Sequence, residues 1–316
     1  MLGRLTVPAR RLVVLLSTLI LVSIVSFGLV EVAEGEAIDT ILPQGATEVE
    51  RAAVAAAYGL DGPLVTRYLD WLSSAVTGDL GRSIASRVPV WDELMTRLPV
   101  TIELAVLSTL LALVISVPIA VWAGYRSGGI VDRVSGALVS VTMAIPNFLL
   151  GLVLVFIFGV TLQAFPVSGW VPMSDGIPEH LSRLVLPVMT LAASQSVLFI
   201  RILRGDIAAT IGEDFILAAR ARGIRTPAIL VRHALRPSAF ALLTVLGLSL
   251  GQLIGGTVIV EQLFGLPGMG QTLIAAINGR DIFVVQGAVL LVAVGYVLIN
   301  TLVDLAYPLL DPRVRS

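Results

Sequence analysis

The 316-residue chain contains no cysteine, which excludes disulfides, zinc–thiolate sites and thiol nucleophiles. It has no lysine either: all 21 basic residues are arginines. Histidine occurs twice, as His180 and His233. Charged residues make up 14% of the chain, against about 25% in ordinary soluble domains. A net charge of −1 provides no field to hold a polyanion, so a nucleic-acid partner of the basic-patch kind is excluded. Hydrophobic residues reach 56% and the mean hydropathy is +0.94. That richness excludes a disordered or fibrous chain and argues against a water-soluble enzyme.

What the chain has in place of charge is long uncharged runs: Leu12–Val30, Leu104–Tyr125, Val134–Ser174, Leu184–Ile200, Pro237–Val260 and Ile282–Val303. A helix needs about 20 apolar residues to cross the hydrocarbon core. Five runs suit one crossing each. The sixth, from Val134, is broken in its second half by Pro166, Gly169, Trp170 and Pro172, so it reads as a span ending near Gln163 and then a loop with an interfacial Trp170. The expectation is an all-α polytopic membrane protein with six transmembrane helices. No segment alternates as a barrel strand would. The first run follows Arg4, Arg10 and Arg11. It is longer than a usual signal-peptide core and lacks a clean cleavage site, so it reads as a retained anchor.

Arginine placement sets the orientation. The segments 1–11, 126–133, 201–236 and 304–316 hold 14 of the 21 arginines, whereas 31–98 holds 11 of the 22 acidic residues. Both termini are therefore expected in the cytoplasm and 31–98 outside. The linear division that follows is a tip and first helix (1–30), an extracytoplasmic segment (31–98), a five-span core (99–308) and a tail (309–316). In the outer segment, Glu48–Tyr58 and Leu64–Val76 read as short helices, the second stopped by Gly78-Asp79-Leu80-Gly81. They form either a cap on the membrane face or a docking element for something arriving from outside.

The inner loop 201–236 carries seven arginines and no membrane-length apolar run. Asp206–Arg222 is helix-compatible, Gly223 interrupts it, and Thr226-Pro227 restarts a helix with Thr226 as N-cap. Glu213 and Asp214 precede small Ala218, Ala219 and Ala221, which permit close backbone approach. Arg220, Arg222 and Arg225 offer bidentate donors. The loop reads as a docking surface for a cytoplasmic partner; a basic juxtamembrane loop on anionic lipid is the plainer reading.

Polar residues inside spans are candidates to line a path: Asn147, Gln195, Gln252 and Asn300. Each would equally serve to bridge two helices. Gly247, Gly251 and Gly255, spaced four apart, allow a helix to approach closely, either from a partner or from this chain. Glu103 is expected near the outer start of a helix and Asp304 at an inner end. Gly265-Leu266-Pro267-Gly268-Met269-Gly270-Gln271-Thr272 approaches a phosphate-binding loop, but Gln271 replaces the lysine, Pro267 interrupts it and no strand precedes it. A glycine–proline turn at an outer mouth is the better reading. No metal set or catalytic constellation appears; the two histidines fall on opposite sides of the membrane.

Several stretches together resemble one family. They are Tyr68-Leu69-Asp70-Trp71-Leu72 with Gly78-Asp79-Leu80-Gly81; Arg97–Leu104; Ile145-Pro146-Asn147-Phe148; Glu213–Gly223 with Arg232-His233-Ala234-Leu235-Arg236; Val260–Gly270; and Asp311–Arg315. They are similar to ABC importer permeases, closest to the B-type permease subunit of dipeptide and oligopeptide importers, and the 213–236 stretch resembles the EAA loop. The motif's glutamate is replaced by Leu217, and its closing proline is displaced from Arg236 to Pro237. The resemblance implies a type I ABC importer permease fold in the inner (plasma) membrane of a bacterium. It further implies a second, C-type permease, two ATPase subunits or domains that bind ATP and Mg²⁺, and an extracytoplasmic substrate-binding protein. This chain would bind no cofactor and catalyse no covalent change. Peptide is the implied cargo, with nickel chelate, glutathione or another small solute as alternatives; an ion-gradient secondary transporter is a further alternative that the scarcity of mid-membrane acids disfavours.

Overall fold

The computed structural model describes residues 13, 15–28, 42, 46–57 and 62–310. Helices dominate, and among the described residues the only strand-like feature is an isolated bridge between Arg82 and Pro89. In chain order the helices are α1 (Leu15–Gly28), α2 (Glu48–Ala57), α3 (Leu64–Val76), α4 (Val90–Tyr125), α5 (Ile130–Ala144), α6 (Asn147–Leu154), α7 (Ile177–Ile211), α8 (Asp214–Ala221), α9 (Thr226–Ala228), α10 (Arg236–Gly256), α11 (Val258–Phe264), α12 (Met269–Asn278) and α13 (Ile282–Leu310). Two compact units emerge: Met1–Val100 with Pro267–Val297, and Thr101–Leu266 with Leu298–Ser316.

Among the described residues, four helical stretches are long and apolar enough to cross a membrane: Val90–Tyr125, Ile177–Ile211, Thr226–Leu253 and Ile282–Val303. The expected span from Val134 to near Gln163 is broken in its middle. α5 and the helical stretch Asn147–Thr161, which begins with α6 and continues as a π-helix over Val155–Thr161, meet at 106°, so they make a fifth span only as a bent pair. Pro146 is the cause: its ring disfavours helical geometry at the preceding residue, and Ile145 is extended at φ −97°, ψ 122°. α1 covers the first expected span only in part, and the flanks of that run lie outside the described residues, as do the tail beyond Leu310 and the Asp304 side chain.

In the first unit, the buried core joins Leu80, Val90, Leu94, Met269, Ala276, Val284 and Ala288. α2 starts with a reciprocal cap: the Thr47 N–H donates to Glu50 Oε2 at 2.8 Å, and the Glu50 N–H donates to Thr47 Oγ1 at 3.3 Å. The Thr47 N–H and the Thr47 hydroxyl, which donates to Glu50 Oε2 at 2.9 Å, hold the Glu50 carboxyl below the usual carboxylate range. Tyr58, the expected end of α2, lies outside the described residues. α3 has the expected bounds. Behind it the Gly78 N–H donates to Ala75 O and the Asp79 N–H to Ser74 O, the paired closure of a left-handed C′ residue, and Gly78 sits at φ +90°. Asp281, 2% exposed, caps α13 through the Val284 N–H and accepts from Ser83 Oγ and the Ala85 N–H.

In the second unit, Ala112, Ala120, Ala192, Phe199, Leu203, Ile207, Ala234 and Leu242 form the core. Alanines on α4 let α7 approach closely. At Gly124 an added Cβ would meet Ile207 Cγ2 at 2.7 Å and the Arg204 carbonyl at 2.9 Å.

Candidate coupling loop and mouth

The loop 201–236 grows directly out of α7. Contrary to the expected continuous helix over Asp206–Arg222, the helix ends at Ile211 and restarts after Glu213, whose backbone is extended at φ −75°, ψ 147°. Glu213 and Asp214 stand at the N-terminus of α8 and Arg220 in its last turn, the arrangement the helix dipole favours. Gly223 closes α8 at φ +73°. Its N–H donates to Arg220 O at 2.9 Å, and the Ile224 N–H donates to Ala219 O at 3.2 Å, again the double bond pair of a left-handed cap. α9 then starts with Arg225 as N-cap and Thr226 as its first residue, one position earlier than expected.

The loop has a small apolar core of its own. Ile216, Ala219 and Ile229 are buried, with Ile211 and Ile224 packed against them. Ala219 therefore points inward, whereas Ala218 is exposed. Phe215 and Leu217 are exposed at 48% and 55%, so α8 presents two large apolar side chains that the charge pattern had concealed. Arg220, Arg222 and Arg225 are all exposed. Beyond α9 the backbone widens into a π-helix over Ile229–Leu235. Pro237 follows and has no N–H to donate back into that turn.

The root of the loop is tied to α5. Arg204 grips Asp132 with two bonds, Nε to Oδ1 at 2.8 Å and Nη2 to Oδ2 at 2.7 Å. The same carboxylate accepts the Gly128 N–H at 2.7 Å, which fixes the short turn between α4 and α5.

The in-span polar residues divide. Gln195, 8% exposed, accepts from Thr109 Oγ1 at 3.1 Å and donates to Ser108 Oγ at 3.4 Å, joining α7 to α4. Asn147 is exposed at the start of α6 and accepts from Ser194 Oγ at 2.7 Å. Gln252 is exposed and Asn300 half-buried; the structure does not bring these four into one cluster through the bonds described. Gly247 lies against Val303 of this same chain, where an added Cβ would come within 2.7 Å of Val303 Cγ2. Gly251 is buried on the same helix, and the surroundings of Gly255 lie outside the described residues.

At the expected mouth, Gly265 takes φ +62° and ends α11; its N–H donates to Gln262 O, and the Leu266 N–H to Glu261 O at 2.8 Å. Gly169 N–H donates to Phe264 O at 2.9 Å. Pro267 leads to Gly268, the N-cap of α12, and Gly270 is buried in its first turn. The preceding element is a helix, so the phosphate-loop likeness has no strand to stand on.

One charged residue departs from its expected position, and a second, for which no position was expected, is buried. Glu103 is not near a helix start but well inside α4, where it meets His180 Nε2 at 2.7 Å; His180 Nδ1 meets Val171 O at 2.7 Å and Trp170 packs edge-on to the imidazole. Glu261 is fully buried and accepts from Thr101 Oγ1 and Thr257 Oγ1, both at 2.7 Å. Neither pairing was foreseeable from spacing, because Thr101 and Glu261 are 160 residues apart.

The family model described as binding-protein-dependent transport system inner membrane component matches residues 116–316, and its N-terminal companion matches residues 4–105. "Probable peptide ABC transporter permease protein y4tP" of Sinorhizobium fredii is 36% identical over 306 residues, covering 97% of this chain and 98% of that protein. "Dipeptide transport system permease protein DppB" of Escherichia coli K12 is 32% identical over 330 residues, covering 97% of each.

Proposed function

Because the chain belongs to the family of inner membrane components of binding-protein-dependent transport systems, we propose that it works as the permease subunit of a peptide ABC importer. It is a multi-pass membrane protein, and its task is vectorial: cargo crosses without covalent change. Full-length similarity to named peptide and dipeptide permeases supports peptide as cargo. In this reading α1, the bent α5–α6 pair and the four long helical stretches make six spans, the termini and loop 201–236 lie in the cytoplasm of a bacterial cell, and a second permease completes the path. ATP and Mg²⁺ belong to separate ATPase subunits, and an extracytoplasmic binding protein delivers the peptide.

The observation that carries the reading is the loop's construction. A helical pair with its own apolar core displays Phe215, Leu217 and three arginines outward. A partner that pushes on α8 moves a rigid body rather than a slack loop. The motion passes to α7 at Ile211 and, through the Arg204–Asp132 fork, to α5. Such a switch is biased from both ends, by nucleotide below and by loaded binding protein above.

The test is purification of the chain from its native membrane in mild detergent. An ATPase pair and a second multi-span subunit should remain bound, and Arg220→Glu with Arg222→Glu should release the ATPases while leaving membrane insertion intact. A chain that transports peptide alone, without nucleotide, overturns the proposal.

A further inference from the structure

The outer helix α3 has an apolar arc wider than its contacts use. At 100° per residue, Tyr68, Trp71 and Ala75 lie on one side of that arc and Val65, Leu69, Leu72 and Val76 on the other, with Thr66, Asp70 and Ser73 opposite. The first side is occupied. Tyr68 and Trp71 pack on the Phe27 ring at 5.5 and 5.8 Å, Tyr68 OH bonds Ser23 Oγ at 2.8 Å, and Ala75 joins the core of the first unit. The second side is open: Val65, Leu69 and Val76 are exposed at 68%, 56% and 81%.

The contacts also set the height of α3. It meets α1 at Ser23–Phe27, within that helix's apolar stretch, and α1 itself exposes Leu21, Ile24 and Val25 at 62%, 50% and 54% on the same turns. An apolar stripe fixed beside the lipid-facing end of a span is continuous with that span's lipid surface. Aromatic residues with polar tips, here Tyr68 and Trp71, suit headgroup depth. A helix with one apolar and one polar face lies in the interface plane with its apolar side among the acyl chains.

We infer that α3 is not part of a water-borne cap: it lies in the outer membrane–water interface, with Val65, Leu69, Leu72 and Val76 in contact with phospholipid and Asp70 and Ser73 toward water. This rests on α1 being a membrane span. The occupant of the stripe is the bilayer, and it anchors the outer segment beside α1.

The absence of cysteine makes the test direct. Single-cysteine variants Val65→Cys, Leu69→Cys and Val76→Cys on the stripe, Asp70→Cys and Ser73→Cys opposite, and Leu21→Cys and Ile24→Cys on α1 are spin-labelled in the assembled transporter. The transporter is reconstituted in phosphatidylethanolamine–phosphatidylglycerol vesicles. Collision with oxygen is compared with collision with a water-soluble nickel chelate. The stripe should match the α1 sites, with an oxygen-to-nickel ratio several-fold above that of Asp70 and Ser73. Equal ratios on both faces of α3, with α1 still lipid-like, overturn the inference and leave the transport reading intact. Low collision with both reagents on the stripe means protein covers it and also overturns the inference. Water-like ratios at Leu21 and Ile24 overturn the span assignment itself.

Discussion

Gly223 offers the sharpest perturbation of the proposed coupling loop. It sits at φ +73°, and a Cβ placed there would meet nothing within 4 Å. Substitution by alanine therefore adds no collision, and the cost is the backbone term alone, about 1–2 kcal/mol for a left-handed residue with a Cβ. That changes the ratio of formed to unformed turn by about five- to thirtyfold. Asparagine, which tolerates this region, should cost less. Proline cannot reach positive φ and would also remove the N–H bonded to Arg220 O at 2.9 Å, a loss of about 3 kcal/mol or more by analogy with helix interiors. The assay is peptide-stimulated ATP hydrolysis by the reconstituted transporter, with insertion of the chain measured in parallel. Stimulation should fall in the order glycine, asparagine, alanine, proline, while insertion stays constant. Proline at 223 with wild-type stimulation would refute the claim that this turn transmits force.

Three further outcomes follow from the packing. Thr101→Val should destabilise the chain by about 0.5–1.5 kcal/mol, the net worth of a single hydrogen bond, because Glu261 is fully buried and receives that hydroxyl at 2.7 Å. A double-mutant cycle with Thr257→Val, read by denaturation in mixed micelles, should show coupling, since both hydroxyls use the same oxygen. Gly247→Val should cost about 1–3 kcal/mol by overpacking, measured as a lower thermal midpoint in detergent, and Val303→Ala should recover part of it. Glu50 has its carboxyl lowered by the Thr47 cap, so its contribution to α2 is present above the ordinary glutamate range and is lost as pH falls through the lowered value; amide exchange of 48–57 should rise with acid in the wild type and show no such acid step in Glu50→Gln.

Local chemistry was legible wherever one residue decides the backbone. Pro63 and Gly78 bracket α3, and Gly223 ends α8, because proline and glycine act within a turn of themselves. Pro146 is the instructive miss. It lies in an uninterrupted apolar run, and counting apolar residues measures hydrophobic length without registering a single residue that cannot continue a helix. Gly212-Glu213 escaped for a related reason: both neighbours are helix-compatible, and only the burial of Ile216 against Ile229 turns α8 away from α7.

The amino-acid sequence determined by itself that the chain lives in a membrane, that its arginines gather on the segments read as cytoplasmic, and which motifs it shares with peptide permeases. These depend on composition, run length and local order, and all survive without knowledge of neighbours. The tertiary structure alone decided that Glu261 is buried on Thr101, that Glu103 meets His180, that Ala219 faces inward while Phe215 faces out, and that Gly247 packs on Val303. Each of these joins residues far apart in the chain or picks one face of a helix. Partner and face are set by how helices pack, and no local pattern of residue types carries that information.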